Sequence, residues 1–217
     1  MNVNASSGTV HVVDDEAVVR DAVDWTLRSV GYDVQVHASA AEFLAALDPR
    51  VPTCAIVDLL LPGMTGLSLC RELRARQGHC AFLMISGHAD VASAVEAMKC
   101  GAVDFLEKPC GRQALLDAVH RAITLATRQE REVREEEEAA AKVRTLSHRE
   151  LEVFEAVCKG LVTKEIATAL GISHKTVDVH RSKIMQKLAL ESPTQIAHLE
   201  FLIRRRQQRI EALATKG

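Results

Sequence analysis

Short apolar runs and helical repeats alternate through the first 126 residues of the chain. The runs TVHVV (9–13), CAIV (54–57), FLMI (82–85) and VDFL (103–106) read as buried strands, and DVQVHA (33–38) alternates with period two. Helical periods lie between them. Val19, Val23, Leu27 and Val30 share one face, as do Phe43, Leu44 and Leu47; Leu69, Cys70 and Leu73 repeat the pattern, and so do Val91, Ala94, Val95 and Met98. Five β-α units with short connections predict a parallel sheet covered by helices on both sides.

Residues 112 to about 143 read as one long helix, apolar at first (Ala114, Leu115, Ala118, Val119, Ala122, Ile123) and then EREVREEEEAAAK. The charge run is expected to be a solvated linker. Val119, Ala126, Val133 and Ala140 fall seven apart, but Gln129 and Glu136 interrupt the second seam, which argues against a strong coiled coil. From Leu146 the pattern is all helix. Ser147 with Glu150 forms a capping box, Gly160 ends that helix, Thr163 and Lys164 open the next, and Gly171 ends it in turn. HKTVDVHRSKIMQKL follows, and Pro193 is expected to open a fourth helix. Two short helices joined by a glycine-containing turn, the second rich in basic residues, outline a helix-turn-helix.

Composition narrows the class. With 217 residues at 47% hydrophobic, the chain can fold one ordinary domain and a smaller one. It has no apolar run of about 18 residues, and its start lacks the charged and apolar regions of a secretory signal, so a cytoplasmic protein with no membrane partner is expected. The six cysteines form no CxxC pair or metal-ligand spacing and read as free thiols; the nine histidines are scattered. A net charge of −2 hides an asymmetry: residues 1–126 carry 10 Lys and Arg against 15 Asp and Glu, while 145–217 carry 12 against 8. Only the second part is suited to nucleic acid.

In a doubly wound sheet the chemistry sits at the carboxyl ends of the strands. Asp14 and Asp15 follow the first predicted strand, Asp58 the third, Ser86 the fourth and Lys108 the fifth. Each alone has a plainer reading: a helix cap, an Asx turn, a loop, a strand stop. Together they gather three carboxylates, a hydroxyl and an ammonium into one crevice. Crowded carboxylates call for a cation, and Mg²⁺ suits one or two carboxylates plus a phosphate. Phosphoryl transfer needs such neutralisation, with Asp58 as the nucleophile that forms an aspartyl-phosphate.

At these residues the chain resembles a known family. VVDDE (12–16), VDLLLPGMTG (57–66) and ISGHADVASAVEAMKCGAVDFLEKP (85–109) are similar to the receiver domain of bacterial response regulators of the FixJ-like subfamily. The resemblance implies a flavodoxin-like five-stranded sheet whose Asp58 accepts phosphate from a sensor histidine kinase. It implies Mg²⁺ held by Asp15, Asp58 and the backbone carbonyl of Leu60, with Asp14 acting mainly through water. Ser86 and Lys108 would bind the phosphoryl oxygens, Phe105 would be the aromatic switch, and the peptide before Pro109 would be cis. Leu61 stands where Met is commoner and Cys110 where Phe is usual, which leaves the chemistry intact and the phosphate lifetime open.

LSHRELEVFEAVCKGLVTKEIATALGISHKTVDVHRSKIMQKLALES (146–192) is similar to the LuxR-type helix-turn-helix of NarL and FixJ regulators. The candidate DNA-facing residues are Thr163, Lys164, Lys175, Thr176, Asp178, Val179, Arg181, Ser182 and Lys183, with Val177, Ile184 and Leu188 packing the domain. His180 is read as packed or phosphate-touching. Asp178 is the odd member: it either accepts from a cytosine amino group or pairs with Arg181 or Lys175, and the pairing is preferred. Arg204, Arg205, Arg206 and Arg209 read as an exposed helix face.

The expected organisation is a receiver over 8–124, a helical linker over 125–143 and an all-α, four-helix DNA-binding domain over 144–209. The expected function is phosphorylation on Asp58, dimerisation, and binding of promoter DNA to regulate transcription, with RNA polymerase a possible further partner. The chain is expected to catalyse only its own phosphoryl transfer and dephosphorylation. A haloacid-dehalogenase-type phosphatase would carry a second Asp two residues after the nucleophile, where Leu60 stands. A receiver that works unphosphorylated would lack an acidic residue or the lysine, and a quorum-sensing regulator would share only the C-terminal motif.

Overall fold

The structure is a computed structural model that describes residues 8–76, 79–87, 90–192 and 194–214. The chain forms two compact units that divide between Arg131 and Glu132.

In the first unit β1 (Thr9–Val13), β2 (Asp33–His37), β3 (Thr53–Asp58), β4 (Cys80–Ser86) and β5 (Asp104–Glu107) pair in parallel in the order β2-β1-β3-β4-β5. Helices α1 (Ala17–Arg28), α2 (Ala40–Ala46), α3 (Gly66–Arg76), α4 (Val91–Lys99) and the start of α5 (Arg112–Val143) connect and cover it. This is the flavodoxin-like doubly wound fold that the alternating pattern predicts. One core layer joins Val10, Val12, Ile56, Leu83 and Ile85 to Val23 and Leu27 of α1 and to Leu115, Val119, Ile123 and Ala126 of α5. The other joins Val13, Val57 and Met84 to Phe43, Leu69, Cys70 and Leu73. The central strand β3 is buried at every residue, the reason its run shows no alternation.

Two readings of the pattern change in three dimensions. β2 is an edge strand, so Val36 is 45% exposed, while His37 on the opposite face is buried against His11 and Phe43. The α4 stripe does not face the sheet. Val91, Val95 and Met98 are 81%, 46% and 49% exposed, and Ala97 is the buried residue of that helix. Periodicity found an apolar face; what covers it lies outside the period.

The second unit holds α6 (His148–Cys158), α7 (Thr163–Leu170), α8 (His174–Lys187) and α9 (Thr194–Ala214) around Val153, Phe154, Ile166, Val177, Ile184, Leu188, Ile196 and Leu199. The Ser147–Glu150 capping box forms as expected, and Gly171 (φ 64) supplies the left-handed stop of α7. Pro193, expected to open the last helix, lies outside the described residues; α9 begins at Thr194.

The acidic half of α5 is not a solvated linker. From Glu132 on it belongs to the second unit, where Ala139 enters the core and Glu136 is 2% exposed. Nor are the α9 arginines a free face. Arg205 reaches Glu132 at 2.9 Å and Glu136 at 3.3 Å; Arg209 reaches Glu136 at 3.0 Å; Arg206 reaches Glu137 at 2.9 Å. Each guanidinium meets a carboxylate about 70 residues earlier in the chain, a pairing that no local pattern reveals.

Candidate functional site

The carboxyl ends of β1, β3, β4 and β5 bring Asp14, Asp58, Ser86 and Lys108 together. β1 registers beside β3 and β3 beside β4, so their last residues share one rim of the sheet. Lys108 bridges the rim: its Nζ donates to Asp58 Oδ2 at 2.6 Å and lies 2.7 Å from Asp14 Oδ2 and 3.6 Å from Glu16 Oε1. Its backbone N–H donates to the Ser86 carbonyl at 2.8 Å, and the Lys108–Pro109 peptide is cis, as the resemblance implied. Ser86 is fully buried. Phe105 is half-buried, one residue beyond the start of β5, and packs on the layer that contains Met84.

Asp14 is 1% exposed and tightly held. The Glu16 N–H donates to its Oδ1 at 2.9 Å, Arg20 Nη1 donates to its carbonyl at 2.6 Å, and its own N–H donates to the His37 carbonyl at 3.2 Å. Burial, opposed by Lys108 and the Glu16 N–H, holds the Asp14 carboxyl above the usual carboxylate range. For Lys108, burial works against the charge, but bonding to Asp14 and Asp58 outweighs it and holds the ammonium above its ordinary value.

Three carboxylates, from Asp14, Glu16 and Asp58, present oxygens within 4.8 Å of one another. Against one lysine they leave the pocket with surplus negative charge. Asp14 Oδ2 is buried and makes no hydrogen bond of good geometry, although Lys108 Nζ lies 2.7 Å away. That oxygen is met by the ammonium alone, and a surplus of clustered carboxylate oxygens around one lysine fits a hard divalent cation. Of the residues named from the sequence, Asp15 is exposed and outside this cluster, and Leu60 is 61% exposed with its N–H bonded to Asp58 Oδ1 at 3.1 Å. Glu16, which the sequence did not single out, is the third member. Its signal was only that it follows two aspartates.

In the second unit the exposed residues of α8 are Lys175, Asp178, Val179, Ser182, Lys183 and Gln186, besides His174 and Lys187 at its ends. The six recur at spacings of three and four and so form one stripe. Gln186 extends that stripe and was legible from the same spacing. Lys164 is exposed on α7. Thr176 and Thr163 are half-buried: Thr176 Oγ1 shares a hydrogen bond with Ser173 Oγ at the helix start, and Thr163 Oγ1 accepts from Arg181 at 3.2 Å. Arg181 is therefore turned inward, and among the described residues Asp178 pairs with neither it nor Lys175, contrary to the preferred expectation. His180 is packed, with a buried Nδ1 that has no hydrogen-bond partner.

A doubly wound sheet with carboxylates and a lysine at its strand ends, followed by a helix-turn-helix, is the build of a two-component response regulator. The chain matches the family described as "Response regulator receiver domain" over residues 10–120 and "Bacterial regulatory proteins, luxR family" over 144–200. It is 41% identical over 193 residues to the transcriptional regulatory protein FixJ of Azorhizobium caulinodans, covering 89% of this chain and 92% of that one. It is 39% identical to the transcriptional regulatory protein TdiR of Thauera aromatica, covering 89% and 85%. Among solved structures it is similar to the response regulator StyR, with TM-score 0.80 and 37% identity over 89% of this chain and 98% of that one. The chain belongs to the response regulators that join a receiver domain to a LuxR-type helix-turn-helix, alongside the FixJ transcriptional regulators. Among the described residues no helix is long and apolar enough to cross a membrane.

Proposed function

We propose that Asp58 accepts a phosphoryl group from a sensor histidine kinase in the cytoplasm, and that the phosphorylated chain dimerises and binds promoter DNA. An Asp58 oxygen forms the new O–P bond as the N–P bond of the kinase phosphohistidine breaks. The observation that carries this reading is the Lys108 ammonium, held within 2.7 Å of carboxylates from two separate strand ends. A cation so placed can leave Asp14 and follow the charge onto a phosphoryl oxygen, with Ser86 beside it. Mg²⁺ is the expected resident ion: Asp58 and the Leu60 carbonyl would hold it, Asp14 would act mainly through water, and the exposed Asp15, or Glu16 from the observed carboxylate cluster, would complete the set. When bound it would supply charge neutralisation on the transferring oxygens. The same pocket would support hydrolysis of the acyl phosphate by the chain itself.

Engagement of Ser86 biases Phe105 inward and alters the face of α4 and β5, where Val91, Val95 and Met98 are exposed. An apolar stripe on a helix in water favours a partner, and a two-fold dimer suits two half-sites on DNA. The exposed stripe of α8 would then face the major groove, with Lys164, Lys175 and Lys183 near phosphates and Val179, Ser182 and Gln186 near base edges. Contact with RNA polymerase would follow on the promoter.

Acetyl phosphate with Mg²⁺ is the direct test. The chain should gain one hydroxylamine-labile phosphoryl group, and Asp58→Asn should gain none. Full labelling of Asp58→Asn would sink the assignment. Lys108→Ala should still be labelled yet fail to dimerise, by sedimentation with and without beryllofluoride.

A further inference from the structure

The loop from Asp58 to α3 contains two glycines that serve different ends. Gly63 lies at φ 84, a left-handed conformation, and nothing stands within 4 Å of where its Cβ would be; the backbone demands that glycine. Gly66 is the reverse. It is the first residue of α3 and its φ lies outside the left-handed region, so any residue suits its backbone. Yet a Cβ there would lie 2.2 Å from the Asp58 carbonyl oxygen, 3.0 Å from the Asp58 carbonyl carbon and 2.8 Å from Met84 Cε. Space excludes a side chain, and the atoms that exclude it belong mainly to the backbone of the phosphoacceptor.

Hydrogen bonds fix the backbone next to this contact. The Gly66 N–H donates to the Leu59 carbonyl at 3.0 Å, and the Leu59 N–H donates to the Ile85 carbonyl at 3.0 Å. Thr65 Oγ1 accepts the Ser68 N–H at 3.2 Å and fixes the start of the helix against the loop. The start of α3 is thereby packed directly on the peptide that carries Asp58. We infer that Gly66 is a positioning residue for phosphoryl transfer: its missing side chain lets α3 hold the Asp58 backbone at the depth from which the carboxylate meets Lys108. The inference rests on the reading of Asp58 as the phosphoacceptor. A methyl group at this position pushes the Asp58 carbonyl back by roughly 1 Å, a misplacement that costs about 100-fold in rate.

The test compares the labelling rate from acetyl phosphate and Mg²⁺ in four full-length chains: wild type, Gly66→Ala, Gly66→Ala with Met84→Val, and Leu67→Ala. Each is assayed at a temperature where circular dichroism shows it folded. Leu67→Ala removes packing of the same helical turn against the core, so it reports what mere loosening of α3 does. The expected result is that Gly66→Ala lowers the maximal rate about 100-fold, that Met84→Val does not restore it, and that Leu67→Ala stays within a few-fold of wild type. A wild-type rate in Gly66→Ala overturns the inference. So does rescue by Met84→Val, which would assign the effect to core packing, or a Gly66→Ala chain that never folds, which would assign the glycine to folding. A wild-type chain that takes no label overturns instead the reading of Asp58 beneath it.

Discussion

The two basic stretches of the second unit look alike in sequence and differ in kind. α9 carries Arg204, Arg205, Arg206 and Arg209, the densest positive run in the chain, yet each has a carboxylate: Glu200 within the helix, and Glu132, Glu136 and Glu137 on α5. α8 carries as many cations, spread along the helix, but Lys175 and Lys183 are exposed and have no carboxylate partner among the described residues. Matched charge is part of the fold; unmatched charge is available to a ligand. The rule extends to the first unit with the sign reversed. Asp14, Glu16 and Asp58 outnumber Lys108, and that surplus marks the pocket as a site, whereas the equally acidic Glu132–Glu137 stretch is spent on arginines.

The largest expected effect comes from breaking the matched side. Glu136 is nearly buried and joins Arg205 and Arg209, so Glu136→Ala leaves Arg205 with Glu132 alone and Arg209 with only its longer contact to Glu137. The expected loss is about 1–2 kcal/mol, below that of a fully buried pair because both guanidiniums are about a third exposed and each keeps a second carboxylate. Lys175→Ala on the unmatched stripe should change stability by less than about 0.5 kcal/mol. Calorimetric unfolding of the two variants checks the contrast; equal losses would erase it. DNA binding should rank the helices the other way. Lys183→Ala should flatten the dependence of log affinity on log salt by about one unit, while Arg206→Ala should leave the slope unchanged. Titration at several salt concentrations reads this directly, and a flattened slope in Arg206→Ala would place α9 on the DNA.

Much of this was legible beforehand, for physical reasons that also set the limit. Strands such as TVHVV and helices such as α5 announce themselves because burial on a regular backbone imposes a period, and β1 and α5 fall where that period placed them. Asp58 and Lys108 were legible because chain topology alone puts strand ends together. What a surface meets is not periodic. The α4 stripe of Val91, Val95 and Met98 has the same repeat whether sheet or solvent faces it. Arg205 and Glu132 are 73 positions apart, and their pairing depends on how α9 lies on α5. The capture of Arg181 by Thr163, 18 residues away, likewise needed the turn geometry of the helix-turn-helix.

The smallest expected effect is an acid test of the matched class. Glu150 serves the capping box of α6 and also accepts from Lys187 Nζ at 2.7 Å. The Lys187 ammonium first, and the Ser147 N–H with it, hold its carboxyl down at about 2. A carboxyl depressed in the folded state adds stability that is complete above its unfolded value, near 4.5, and is lost as pH falls toward 2. In the pocket the sign is opposite, because burial holds Asp14 above its ordinary value and the folded state favours its proton. The second unit should therefore weaken between pH 4.5 and 2 partly through Glu150. Glu150→Gln keeps the capping geometry, since Gln also fits the box, and removes only the charge. That variant should be modestly less stable at pH 7 and should lose less on acidification, so that its unfolding curve converges with the wild type near pH 2. Urea unfolding followed at pH 7, 4 and 2.5 measures the convergence. Parallel curves with a constant gap would mean that the Lys187 bond contributes through packing, and that Glu150 does not belong with the charge-matched carboxylates of the fold.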